Sequence, residues 1–215
     1  MIYPFWETIV RPVYLLWTRN VQGLENLPKG KPFMVAANHS SYYDTLLIPI
    51  ILIPFLGKKV TALVSSRYWK IPIANYVLTH GECIPVYIGN EKDAKRKNKE
   101  SLTKAVNYLK KGNIIFMFPE GTRSLDGKLK KAHIGIAKLA IKSKVPVLPF
   151  GIIDSYKVLP KGKLLPRFKK CEVNIGKPIN LEKYYRKPLN KINLENATRD
   201  IMEEIAKLIG QKYNY

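Results

Sequence analysis

At 215 residues the chain is long enough to bury a sizeable core in one domain. Lys and Arg number 37 against 16 Asp and Glu, a formal charge of +21, which directs it toward polyanions: nucleic acid, an anionic membrane face or phosphate-bearing substrates. Two distant cysteines, Cys83 and Cys171, without metal-binding spacing, and only three histidines argue against a metal centre and for a reducing compartment.

Phe5, Trp6, Ile9, Val10, Val13, Tyr14 and Trp17 repeat with helical period, and Glu7 and Arg11 form an i,i+4 pair on the other side. Residues 1–20 therefore read as an aromatic-rich amphipathic helix that associates with a membrane, followed by a domain over residues 21–215. The alternative for this helix is packing on the core, with Pro12 kinking it. The N-terminus has neither the basic start nor the cleavage site of a secretory signal. The apolar run Leu46–Gly57 is broken by Pro49 and Pro54 and falls short of the roughly 20 residues a span requires.

Further along, apolar β-rich runs alternate with helical stretches. Strands are expected at Phe33–Ala37, Val60–Ser65, Cys83–Tyr87, Ile114–Phe118, Val145–Gly151 and Cys171–Ile175. Helices are expected at Tyr42–Ile53, Ile71–Thr79, Lys92–Lys110, Ile134–Ser143 and Ala197–Gln211, and a loop at Lys157–Lys170. This alternation predicts an α/β fold, a mostly parallel central sheet flanked by helices. In the basic run Glu91–Lys111 only Tyr108 could stack a base, so its lysines read as a solvated helix face and nucleic acid is not an expected partner.

Two strand ends carry chemistry. Behind Phe33–Ala37 stands Asn38-His39-Ser40-Ser41-Tyr42-Tyr43-Asp44. On a regular helix His39 and Asp44 would lie about 140° apart, so they meet only across a sharp turn, with a helix starting near Ser40 or Ser41. A carboxylate on one ring nitrogen fixes the tautomer and leaves the other nitrogen free to accept a proton. Behind Ile114–Phe118 stands Pro119-Glu120-Gly121-Thr122-Arg123-Ser124. Ligands bind outside the carboxyl ends of strands in open α/β sheets, so both turns can face one crevice.

These segments resemble the glycerolipid acyltransferases typified by 1-acylglycerol-3-phosphate acyltransferase. The first motif is matched by Asn38, His39 and Asp44, the third by Phe118 through Ser124, and the fourth by Val145-Pro146-Val147-Leu148-Pro149. Val21–Pro28 is similar to the entry segment, and the likeness runs from about Val21 to Ile153. It implies that His39, held by Asp44, takes the proton of an acceptor hydroxyl attacking an acyl thioester, and that backbone amides of one turn receive the oxyanion. Glu120, Gly121, Thr122 and Arg123 fall on acceptor-site positions. Arg123 suits a phosphate clamp, Gly121 a tight turn, and Glu120 is expected to hold Arg123 or an acceptor hydroxyl.

The chain departs from the family pattern at three places. Gly81 opens the second motif and Ile84-Pro85-Val86 follows, but Tyr87 stands where an arginine is usual. His133 precedes Ile134-Gly135 where a lysine is common, and Ser65-Ser66 replace a further lysine, with Arg67 and Lys70 nearby. Arg67, Lys130, Lys131 or a charged His133 then fills the cationic cradle, or the acceptor is another alcohol or amine.

The implied activity is acylation of the lysophospholipid 1-acylglycerol 3-phosphate to phosphatidate. The donor is acyl-CoA or acyl carrier protein, no cofactor is needed, and the site lies on an anionic membrane surface at the cytoplasmic face. Alternatives are another lipid acceptor, glycerol 3-phosphate or an amino-lipid, and a non-catalytic lipid- or nucleic-acid-binding protein.

Overall fold

A computed structural model describes residues 6–89 and 91–215. Phe5, in the expected N-terminal helix, lies outside them, and of Trp6 and Glu7 only the backbone is described. A π-helical turn, Trp6–Val10, runs into α1 (Arg11–Leu15), and β1 (Thr18–Gln22) follows. Pro12 sits in the first turn of α1, directly after the π-helical turn, and the helix continues past it. Then come β2 (Met34–Ala37), α2 (Tyr43–Leu56), β3 (Val60–Ser65), a 3-10 turn (Ser66–Lys70), α3 (Pro72–His80), β4 (Ile84–Val86), α4 (Ala94–Lys110) and β5 (Ile114–Met117). The remainder comprises α5 (Gly135–Ser143), β6 (Val147–Ile153), α6 (Ser155–Val158), β7 (Cys171–Ile175), α7 (Glu182–Tyr185) and α8 (Lys191–Leu208).

The strands form one sheet in the order β1-β7-β6-β2-β5-β3-β4. Every pairing is parallel except β6 with β7. The sheet is mostly parallel, as expected from the alternation, and both of its faces are covered. On β2, Met34 and Ala36 join the layer made by α4, α5 and α8, while Phe33, Val35 and Ala37 join the layer under α2. That split is the two-residue period of a strand.

α2 continues through Pro49 and Pro54 to Gly57, whose left-handed φ of 58° and N–H bond to the Ile53 carbonyl (2.9 Å) end it. It runs past the expected stop at Ile53 to Leu56, which packs on the same core as Leu47, Ile48, Ile51 and Leu52. α8 starts at Lys191, earlier than expected, because the Asn190 side chain accepts the Asn193 N–H at 2.9 Å.

β1 has no counterpart in the sequence reading, and it crosses the boundary drawn at residue 20. Thr18-Arg19-Asn20-Val21-Gln22 is polar because it is a half-exposed edge strand, paired on one side only. α1 lies along α2: Tyr14 stacks on Tyr43 at 4.2 Å and donates its hydroxyl to the Tyr43 carbonyl, and Arg11 Nε donates to the Ile50 carbonyl. Tyr14, Leu15 and Trp17 pack on the core while Ile9, Val13 and Leu16 stay exposed. No helix among the described residues is long and apolar enough to cross a membrane.

Candidate active site

The parallel order brings the carboxyl ends of β2, β5, β3 and β4 side by side along one edge. At the end of β2, the buried Asn38 side chain extends the ladder into β6. Its Nδ2 donates to the Ile152 carbonyl (2.8 Å) and its Oδ1 accepts the Ile152 N–H (2.7 Å). With the strand end locked, the chain turns. Oδ2 of Asp44 accepts the N–H groups of Ser40 and Ser41, each at 2.8 Å, and lies 3.0 Å from His39 Nδ1.

The helix begins at Tyr43 rather than at Ser40 or Ser41. Ser41 instead accepts the Tyr43 N–H on its Oγ and donates to the Leu159 carbonyl. Asp44 is fully buried and the His39 side chain is 12% exposed, stacked on Phe118 at 3.9 Å. Nδ1 thus faces a carboxylate and carries the proton. Nε2 has no hydrogen-bond partner among the described residues.

The second turn is stitched to the first. Glu120 is buried, with Oε1 accepting the His39 N–H and Oε2 the Lys130 N–H, each at 2.8 Å, while the Ser124 N–H donates to the His39 carbonyl. Each Glu120 oxygen thus holds a backbone amide, and the side chain braces the two turns against each other; among the described residues it makes no bond to Arg123. Burial pushes its carboxyl up to about 7, although both amides and Lys130 pull the other way.

Gly121 has a left-handed φ of 65°, and a Cβ there would come within 2.9 Å of the His133 ring. The glycine thus serves the turn and also the close approach of His133, whose N–H donates to the Pro119 carbonyl. Thr122 is exposed, and its side chain has no hydrogen-bond partner among the described residues. The amides of His39, Ser40, Ser41, Gly121 and Ser124 are already taken, whereas those of Thr122 and Arg123 have no partner among the described residues.

Two tyrosines that the sequence analysis does not name as site residues join the arginines. The Arg123 guanidinium lies 3.4 Å over the Tyr42 ring. The Tyr42 hydroxyl is 3.1 Å from that of Tyr68, which accepts from Arg67 Nη2 at 3.3 Å. Arg67 and Arg123 therefore flank one aromatic pair. Burial raises the Tyr68 hydroxyl, but its bonds with Tyr42 and Arg67 and the two guanidinium charges outweigh it and hold it below the tyrosine range.

Arg123 Nη1 is buried without a hydrogen-bond partner among the described residues, an arrangement that costs stability unless a ligand completes it. Lys130 Nζ is committed to the Arg123 carbonyl at 2.7 Å.

Tyr87 follows the edge strand β4, about 14 Å from β2 at three strand spacings but next to the end of β3, where Ser65 pairs with Val86 and Arg67 follows. Its backbone is clipped by Asn98, and Lys97 Nζ sits 5.2 Å over its ring. Lys97, absent from the sequence reading, supplies a cation beside the position where an arginine was expected. Only fold contact between α4 and β4 could reveal it.

A family model described as Acyltransferase matches residues 18–153. Over 162 residues the chain is 30% identical to a chloroplastic 1-acyl-sn-glycerol-3-phosphate acyltransferase of Brassica napus and 31% identical to one of Arabidopsis thaliana. These alignments cover 75% of this chain but only 41% and 42% of those relatives, so the chain spans about two-fifths of their length. A 1-acyl-sn-glycerol-3-phosphate acyltransferase of Bacillus subtilis is 25% identical, with 87% of this chain and 86% of that protein covered.

The fold is that of the 1-acyl-sn-glycerophosphate acyltransferase PlsC from Thermotoga maritima. The TM-score is 0.70 at 24% identity, over 97% of this chain and 80% of that one. With its family model spanning both turns and the strands that carry them, the chain belongs to the acyltransferase family.

Proposed function

We propose that this chain transfers a fatty acyl group from an acyl thioester to the free hydroxyl of 1-acylglycerol 3-phosphate, giving phosphatidate. The observation that carries the reading is the His39–Asp44 pair at 3.0 Å, with Nε2 of His39 left without a partner among the described residues. His39 Nε2 takes the hydroxyl proton as the oxygen attacks the thioester carbonyl. Asp44 steadies the imidazolium. The carbonyl oxygen becomes an oxyanion, for which the Thr122 and Arg123 amides are the donors the turn leaves available.

Collapse of that intermediate breaks the C–S bond, and the departing thiolate receives the proton from His39. No acyl-enzyme is required. Burial pushes the Cys171 thiol up to about 12, which suits a core residue rather than a nucleophile. The acceptor phosphate fits Arg123 and Arg67, and the relatives named above bear the name of this reaction. The donor is acyl-CoA or acyl carrier protein, and a net charge of +21 favours a site on the anionic cytoplasmic face of a membrane.

The test is thiol release from both donors with 1-acylglycerol 3-phosphate, glycerol 3-phosphate and an amino-lipid as acceptors. Turnover that depends on the first acceptor is the expected result. Release that needs no acceptor, or that needs an unphosphorylated one, would overturn the assignment.

A further inference from the structure

Between α6 and β7 the chain leaves the packed body. Leu164, Leu165 and Phe168 are 95%, 80% and 103% exposed, an unusual concentration of large apolar side chains in water. Around them stand Lys161, Lys163, Arg167, Lys169 and Lys170, and none of these has a carboxylate partner among the described residues.

The stem of this loop is fixed. Ser41 Oγ donates to the Leu159 carbonyl and the Arg167 N–H to the Val158 carbonyl, each at 2.7 Å. Lys161, Arg167 and Lys169, with Lys157, line a cavity of about 240 Å³ whose other wall includes Ser40 and Ser124, the neighbours of His39 and Arg123.

Topology decides where the loop points. β6 runs parallel to β2, and β7 returns antiparallel from Glu172 opposite Ile153, so the loop projects from the edge where His39 emerges. β1 enters with Thr18 opposite Cys171, which places the preceding segment, with exposed Val13 and Leu16, at that edge too.

We propose that the loop Leu159–Lys170 seats the protein on an anionic bilayer. Leu164, Leu165 and Phe168 enter the boundary between headgroups and acyl chains, and Lys161, Arg167 and Lys169 meet lipid phosphates. Exposed apolar side chains ringed by unpaired cations are complementary to that surface and to no purely aqueous one. The seat rests on the acyl-transfer reading only for its use, since it delivers a lipid acceptor beside His39.

The experiment is flotation of the full chain with phosphatidylcholine vesicles, with and without phosphatidylglycerol. The wild type is expected to float with the anionic vesicles, less so as salt rises. Leu164→Ser/Leu165→Ser/Phe168→Ser is expected to lower partition by ~10-fold or more. Lys161→Ala/Lys169→Ala is expected to lower it on anionic vesicles and flatten the salt dependence. Ile192→Ser, an exposed apolar residue elsewhere, should change nothing.

Thermal melts of the variants, whose altered side chains are exposed, should superimpose on the wild type. Turnover of the apolar triple variant on a dispersed short-chain acceptor should persist. If the wild type turns over no acceptor while the loop variants still lose vesicle binding, acyl transfer falls and the seat stands. Flotation unchanged in the triple variant, or a wild type indifferent to phosphatidylglycerol, would overturn the seat.

Discussion

The turns that carry His39 and Glu120 and the rim that carries Arg67, Tyr87 and His133 share one sheet edge, yet they are built differently. In the turns the two carboxylates are buried and hold the backbone: Asp44 Oδ2 takes two amides and an imidazole, and Glu120 takes two amides from separate segments. On the rim, Arg67 and His133 are exposed and cations meet aromatic faces rather than carboxylates. The difference teaches where change is tolerated. A buried network fails when one member goes, because its partners are left unsatisfied, whereas an exposed cation can be exchanged or supplied from another helix, as Lys97 is beside Tyr87.

The largest expected effect breaks the inner network at its chemistry. Asp44→Asn should lower turnover by ~10⁴-fold, since the tautomer is no longer dictated. His39→Ala should lower it by at least ~10²–10⁴-fold. Thiol release and a thermal melt check both variants, and near-normal turnover in a folded variant would return the pair to a structural role.

Next comes the junction between the two regions. Arg123→Ala should raise KM for a phosphorylated acceptor about 10–100-fold, as expected for losing a charge-assisted contact. Arg123→Lys should restore it only in part, because an ammonium lacks the planar fork. An equal loss on unphosphorylated acceptors would mean that the stack on Tyr42, not a phosphate, is what Arg123 serves.

A smaller effect, on stability, probes the brace. Glu120→Gln replaces one accepting oxygen by a donor against an amide and should cost about 1–3 kcal/mol in urea unfolding. The pH dependence has a definite sign. With the Glu120 carboxyl raised from 4.5 to about 7, the folded state keeps a proton that the unfolded state has released. Stability from this group is complete below about 4.5 and declines as pH rises through about 7. The glutamine variant should lose that slope. A wild-type-minus-variant difference that instead rises with pH over this range would contradict the burial of Glu120.

The smallest effect lies on the rim. Tyr87→Arg is expected to shift KM for 1-acylglycerol 3-phosphate by no more than a few-fold, the scale of exposed charge interactions. A change rivalling that of Arg123→Ala would bring Tyr87 into the inner site and erase the distinction.

Local sequence determined the strands and the two polar turns behind β2 and β5, because buried parallel strands are uniformly apolar and a polar run marks where each one ends. It also set the motif residues and their order, hence the family. Tertiary structure decided the rest. β1 is legible only through its partner β7, since a half-exposed edge strand carries too little apolar period. Short α6 and α7 are too brief for any period to register.

The role of Glu120 depends on amides 81 and 10 residues away, and the Tyr42–Tyr68 bridge on a contact 26 residues apart, neither of which any local pattern encodes. Spacing along the chain places a group on an element. Which partner it meets is set by how the sheet orders its strands.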